Sequence, residues 1–114
     1  MMKNLEIQVS ARSNGARLLT LEGPLTLQNI FDFQDVVRKD HTDVIIDLAG
    51  VPYMDSAGLG ALLGAFASSQ RTKHKFALVS VSDRLKIMFQ VAHVDTLLPI
   101  FDSVEIAEGQ RANA

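Results

Sequence analysis

Residues 44–60 read VIIDLAGVPYMDSAGLG and lead a buried strand into a helix. The segment Val44–Leu48 is almost wholly large and apolar, which is typical of a strand covered on both faces. An apolar stripe with spacing i, i+3, i+4 and i+7 then predicts a helix, and its members are Leu59, Leu62, Leu63 and Phe66. Ser56 therefore lies at or next to the N-cap of that helix, where free N–H groups and the helix dipole favour an oxyanion.

Two strands are predicted upstream of this motif. Leu5, Ile7 and Val9 alternate with polar residues, as in a strand covered on one face. The turn at residues 13–15 (Ser-Asn-Gly) leads into a second strand at residues 16–22, so the two form an antiparallel hairpin. Gly23 and Pro24 then end the hairpin.

Thr26 is placed to cap the next helix, which is predicted to run to about Asp40. Its predicted core stripe is Leu27, Ile30, Phe31 and Val37. Downstream of the central motif we expect a short strand at residues 76–79, a helix capped by Ser82, and a last short strand within residues 97–101. The core face of the Ser82 helix is predicted to comprise Leu85, Met88, Phe89 and Ala92.

This order of elements predicts one α/β domain over residues 1–114, ordered over about 4–107, with a frayed tail at 108–114. The expected architecture is a mixed, mostly parallel sheet of four to five strands, with an antiparallel edge hairpin and about four packed helices.

The composition indicates a cytoplasmic protein without a sulfur-based site. The 114 residues include no cysteine, and the start of the chain is too polar for a secretory signal. No stretch is long enough to insert in a membrane. A net charge of −2 disfavours nucleic acid as a direct partner, although Arg71, Lys73, His74 and Lys75 form a basic cluster that we interpret as a solvated connection.

Enzyme and cofactor motifs fail in this sequence. Met54 stands where the nucleophile elbow of a hydrolase needs glycine, and the three histidines are scattered. Gly58 and Gly60 follow a strand, but Gly64 comes one residue too late for a dinucleotide fingerprint. No phosphate-binding loop and no metal-ligand spacing is present. We therefore predict no enzyme activity, no catalytic residue, no cofactor and no metal, while nucleotide binding through residues 58–64 stays an open alternative.

The helix after Ser56 also has a second side on which small residues cluster, so that few side chains protrude from it: Ala57, Gly60, Ala61, Gly64 and Ser68. Each helical glycine costs about 1 kcal/mol relative to alanine, which indicates a packing or functional reason. Ser56 itself has two interpretations: a simple N-cap, or a hydroxyl that can be phosphorylated.

The central motif resembles that of STAS-domain anti-sigma factor antagonists, and the similarity continues in order over roughly residues 4–107. The turn Gly23-Pro24-Leu25 resembles the family's turn before its first helix, and residues 82–89 resemble the start of its third. The resemblance implies phosphorylation of Ser56 by an anti-sigma factor that is itself a serine kinase, and reversal by a protein phosphatase. Unphosphorylated members hold the anti-sigma factor and so release a sigma factor.

The resemblance also implies a partner-binding surface around Ser56. Its expected residues are Gly23, Pro24, Leu25, Thr26, Met54, Asp55, Ser56, Ala57, Gly58, Gly60, Ala61 and Gly64. Many phosphorylatable members carry an acidic residue where this chain has Thr26. A STAS scaffold subunit of a transporter or signalling complex, which works without phosphorylation, is therefore the alternative. The expected state is a monomer or weak dimer.

Overall fold

The computed structural model describes residues 4–39 and 41–112, and these contain five strands and four helices. In chain order they are β1 (Glu6–Ala11), β2 (Arg17–Glu22), α1 (Ile30–Arg38), β3 (Val44–Gly50), α2 (Ser56–Arg71), β4 (Phe76–Val79), α3 (Asp83–Val91), β5 (Ile100–Phe101) and α4 (Val104–Ala112).

The strands form one mixed sheet in the order β1-β2-β3-β4-β5. β1 pairs antiparallel with β2, with Val9 opposite Leu19, whereas every other pair is parallel. The predicted mixed sheet with an antiparallel edge hairpin is confirmed. Parallel pairing places the carboxyl ends of β2 and β3 at one edge of the sheet, and the loops that lead into α1 and α2 start there.

Alternate residues of the strands supply two cores. Leu19, Ile46 and Leu78 are fully buried in the larger core, to which α1, α2 and α3 contribute. Ile45 and Ala77 face the opposite way and pack with Ala107 of α4 in a smaller cluster. The period of two along each strand therefore decides which helices cover which face.

The predicted core stripe of α1 is wrong at two positions. Phe33 is fully buried, whereas Leu27 is 64% exposed and Phe31 is 68% exposed. The cause is a turn before the helix: the Asn29 N–H donates to the Thr26 carbonyl at 3.0 Å, and Asn29 Oδ1 accepts from the Thr26 N–H at 3.0 Å. Because this turn delays α1 until Ile30, Thr26 does not cap it.

The ends of two other helices also differ from expectation. Ala92, predicted on the core face of α3, is its exposed C-cap. α1 ends at Arg38, and Asp40 lies outside the described residues.

Helix α4 replaces most of the predicted C-terminal tail. It runs from Val104 to Ala112, whereas the tail was expected from residue 108; residues 113–114 lie outside the described residues. Ser103 Oγ accepts from the Ile106 N–H at 3.2 Å at its start. Arg12, next to the β1–β2 turn, donates to both carboxylate oxygens of Glu108 at 2.9 and 3.1 Å. This contact and the burial of Ala107 hold the helix on the sheet.

Candidate functional site

Two loops at the carboxyl edge of the sheet are joined by backbone hydrogen bonds. The Leu25 N–H donates to the Tyr53 carbonyl at 3.2 Å, and the Asp55 N–H donates to the Leu25 carbonyl at 3.3 Å. Leu25 and Met54 form an isolated parallel bridge, and both side chains are buried. The β2–α1 loop and the β3–α2 loop therefore form one continuous surface around the start of α2.

Asp55 is the N-cap of α2. Its Oδ1 accepts from the Gly58 N–H at 2.8 Å, and its Oδ2 accepts from the Leu27 N–H at 3.1 Å. The bond from Gly58, followed by that from Leu27, lowers the pKa of the Asp55 carboxyl because both stabilise its charged form. One carboxylate thus satisfies a free amide of α2 and fastens the neighbouring loop to it.

Ser56 is the first residue of α2 and is exposed. Within the described residues its hydroxyl makes no hydrogen bond, since Asp55 carries the capping role. Of the two interpretations of Ser56, simple capping is therefore wrong. What the position offers is a solvent-facing hydroxyl beside backbone N–H groups at the positive end of a helix dipole.

The predicted partner-binding residues fall into two groups. Those at the surface are Thr26, Asp55, Ser56, Ala57, Gly60 and Gly64, and those in the interior are Gly23, Pro24, Leu25, Met54, Gly58 and Ala61. The interior residues shape the two loops and the packing of α2 and expose little side-chain area.

Gly58 illustrates the structural group. A Cβ built at Gly58 would collide with the Leu25 carbonyl oxygen, the same oxygen that accepts from the Asp55 N–H. Glycine is thus required for the close approach of the two loops. Gly23 has a similar role, since its φ is +105° and a Cβ there would lie 2.6 Å from the Asn4 carbonyl oxygen.

Gly60 and Gly64 belong to the surface group, and a Cβ at either would meet no atom within 4 Å. Internal packing therefore does not explain these two glycines, contrary to one of the reasons inferred from their helix propensity. Ala61, between them, is only 5% exposed. The predicted face of small residues therefore contains exposed positions, Gly60 and Gly64, and a buried position, Ala61.

Leu27 and Phe31 are surface residues that the sequence pattern assigned to the core. The Leu27 N–H donates a hydrogen bond to the Asp55 carboxylate, and Phe31 lies in the first turn of α1. The helical spacing does not separate the two assignments, because Ile30, Phe33 and Val37 fit i, i+3, i+7 as well as the stripe through Phe31 does. The result is an exposed apolar patch at the start of α1, Leu27 and Phe31, of which Leu27 belongs to the loop bonded to the N-cap of α2.

No helix in residues 4–39 and 41–112 has the length and apolar character needed to cross a bilayer.

Residues 8–107 match the family model of the STAS domain. The chain belongs to the STAS family. A curated relative, an anti-sigma-B factor antagonist of Staphylococcus aureus, is 27% identical over 88 residues, which cover 74% of this chain and 82% of the relative.

Solved structures share the fold at lower identity. An anti-sigma factor antagonist from Mycobacterium paratuberculosis superposes with a TM-score of 0.80 at 14% identity, covering 94% of this chain and 93% of the other. SpoIIAA of Bacillus in its phosphorylated form gives 0.72 at 18% identity, covering 94% and 99%. The murine anion transporter Slc26a9 gives 0.78 at 16% identity, and the match covers 99% of this chain and 23% of the transporter. At these identities the likeness is one of fold.

Proposed function

We propose that this protein is an anti-sigma factor antagonist that binds an anti-sigma factor serine kinase in its unphosphorylated form and is switched off by phosphorylation of Ser56. The observation that carries the proposal is the uncommitted hydroxyl of Ser56, exposed at the first position of α2 while Asp55 caps the helix. The name of the Staphylococcus relative supports the same class of function.

The unphosphorylated protein offers a mixed docking surface. Leu27 and Phe31 supply exposed apolar area, and Leu27 lies in the loop that is hydrogen-bonded to Asp55, the residue before Ser56. Gly60, one helical turn beyond Ser56, lets a partner approach the backbone of α2 closely. Apolar anchors of this kind give most of the binding energy in protein interfaces, and a hydroxyl at their rim costs little to cover.

Phosphorylation changes the charge of this surface and leaves its shape. A phosphate on Ser56 adds about −1.5 to −2 charges next to the Asp55 carboxylate. The N-terminus of α2 tolerates that charge, so the fold is expected to persist. An apolar partner surface does not tolerate it. If covering the phosphate costs on the order of 4 kcal/mol more than covering the hydroxyl, affinity falls about a thousandfold, which is enough for an on–off switch.

The kinase reaction tests the first half of the proposal. The protein is incubated with ATP and the cognate anti-sigma factor kinase, and the modified residue is identified by mass spectrometry. We expect one phosphate, on Ser56, and none in the Ser56→Ala variant. A cognate protein phosphatase should remove it.

Binding of Ser56→Asp to the same kinase tests the second half. We expect a large loss of affinity for Ser56→Asp and unchanged affinity for the matched control, Ser13→Asp. Ser13 is exposed in the β1–β2 turn, at the opposite end of the sheet, so it adds the same charge far from the site. An unmodified Ser56 together with undiminished binding by Ser56→Asp would refute the switch.

A STAS scaffold that works without phosphorylation is the second candidate. It is favoured by Thr26, whose N–H is bound by Asn29 Oδ1 in a tight turn where many phosphorylatable members have an acidic residue. Pull-down from the native host separates the two functions. Recovery of a transporter ATPase without any sigma regulator would favour the scaffold.

A further inference from the structure

A cavity of about 130 Å³ lies between α1 and α2, away from the Ser56 loop. Phe33, Ala61 and Ala65, all buried, give it an apolar floor. Arg38, Ser68 and Arg71 stand among its lining residues and bring two guanidinium groups and a hydroxyl. The volume is about ten times the space that one water needs by this measure, so a larger group can enter.

The two arginines have no charge partner inside the described part of the chain. Neither the Arg38 side chain nor the Arg71 side chain forms a hydrogen bond or ion pair with any described residue. Among the described acidic residues, the nearest to Arg38 in sequence are Asp35, which makes no ion pair within residues 4–39 and 41–112, and Asp43. Asp43 accepts from the Lys75 N–H at 2.8 Å and lies 3.6 Å from His74 Nδ1.

Helix-end carbonyls are the usual reason for a basic residue in the last turn of a helix. Here other donors already satisfy several of them. Arg17 donates to the Val36 and Val37 carbonyls of α1 at 2.8 and 3.0 Å. Thr72 Oγ1 donates to the Ser68 carbonyl of α2 at 2.9 Å. Within residues 4–39 and 41–112, no carbonyl or carboxylate therefore holds the guanidinium groups of Arg38 and Arg71, and a ligand can bind them.

We propose that this cavity binds a small phosphomonoester, with its phosphate between Arg38 and Arg71 and its carbon portion on the apolar floor. Two guanidinium forks and the Ser68 hydroxyl match the several oxygens and double charge of a phosphate better than a single carboxylate. The floor adds contact area that free inorganic phosphate cannot use. Gly64, which lines the cavity, lies eight residues after Ser56 and so about 12 Å along α2, and the proposal is independent of the phosphorylation switch.

Amide NMR titration of the full chain tests the proposal, with phenyl phosphate as the probe. Inorganic phosphate and phenol, which represent the two parts of this probe, are titrated separately. We expect saturable shifts at Gly64, Ser68 and Arg71, with phenyl phosphate binding more tightly than either half. Arg38→Gln and Arg71→Gln should each weaken binding about tenfold, because each removes a charge-assisted hydrogen-bonding group. Arg84→Gln, an exposed arginine on α3 outside the cavity, should bind as the wild type does.

A second pair of variants tests the location. Gly64→Met should fill the cavity and abolish the shifts, whereas Gly60→Met, one turn away and not among the lining residues, should leave them unchanged. Both sites are exposed, so both variants should fold. Wild-type affinity in both arginine variants, or in Gly64→Met, would overturn the site. Equal affinity for phenyl phosphate and inorganic phosphate, or equal shifts with phenol, would overturn the ligand class.

Discussion

Asp55 and Leu27 are 28 positions apart in the chain, yet Asp55 Oδ2 accepts a hydrogen bond from the Leu27 N–H at 3.1 Å. The same carboxylate caps α2 through the Gly58 N–H. The loop that carries the exposed Leu27 and the helix that begins with Ser56 are thus held by one charged group. Protonation of the Asp55 carboxylate and its replacement should each change the stability of the protein measurably.

The stability that Asp55 provides should depend on pH. Hydrogen bonds from Gly58 and Leu27 lower its pKa in the folded protein, whereas an unfolded aspartate titrates near about 3.9. The folded state thus binds the proton less tightly, so the stabilisation is present above about pH 4 and is lost as pH falls through the folded pKa. We expect Asp55→Asn to lower the Tm at neutral pH, and its difference from the wild type to shrink below about pH 4.

Ser82→Ala is the control for this pH dependence. Ser82 Oγ caps α3 by accepting from the Leu85 N–H at 3.2 Å, and a hydroxyl does not titrate in this range. Its removal should cost about 1 kcal/mol at every pH. A constant Tm difference for Asp55→Asn between pH 7 and pH 3 would contradict the role assigned to the carboxylate.

Glycine to alanine substitutions in α2 should have opposite effects at neighbouring turns. Gly58→Ala should destabilise the protein by about 1–3 kcal/mol, because its Cβ collides with the Leu25 carbonyl oxygen. Gly60→Ala and Gly64→Ala should stabilise it by about 0.5–1 kcal/mol, because each gains helix propensity and meets open space. Urea unfolding measures all three, and a stabilised Gly58→Ala would show that the two loops can move apart freely.

The succession of strands and helices along the chain and the start of α2 could be predicted from sequence because their signals are local. The apolar run of β3, the turn chemistry after it and the leucine spacing of α2 each need only a short window of the chain. Ser56 and Asp55 were both recognisable as capping residues. Which of them caps could not be predicted, since the answer depends on the Asp55–Leu27 contact between two loops.

The parts that could not be predicted depend on tertiary contacts. Phe31 and Phe33 are both compatible with a helical stripe, and only the turn closed by Asn29 decides which one enters the core. Helix α4 continues past residue 108 while Glu108 pairs with Arg12, 96 positions earlier. Half of the expected partner-binding residues are buried in the structure. This could not be predicted either, because a motif identifies residues but does not give their burial.

Leu27 and Phe31 should matter for binding and not for stability. If the proposed partner is an anti-sigma factor kinase that docks on this patch, Leu27→Ser and Phe31→Ser should each weaken its binding at least about tenfold, as expected for apolar anchors. Both side chains are mostly exposed, so the Tm should change little. Val91→Ser is the matched control, because Val91 is 75% exposed on α3. Equal binding by all three variants, measured by calorimetry, would remove this patch from the interface.

Arg17 should be the most sensitive charged residue for stability. It is only 8% exposed, and its guanidinium donates to Thr42 Oγ1 at 3.0 Å as well as to the Val36 and Val37 carbonyls. Arg17→Met should cost about 2–4 kcal/mol in urea unfolding, because it leaves three acceptors without this donor. Arg17→Lys should cost nearly as much, since a single ammonium group cannot reproduce the planar fork.

Arg12 provides the comparison, because it is an arginine whose bonds lie near the surface. Arg12 bonds Glu108 from a partly exposed position, so Arg12→Met should destabilise the protein much less than Arg17→Met does, and less still at high salt. An Arg17→Met variant as stable as Arg12→Met would mean that the carbonyls at the end of α1 find other donors, and that the fork contributes no net stability.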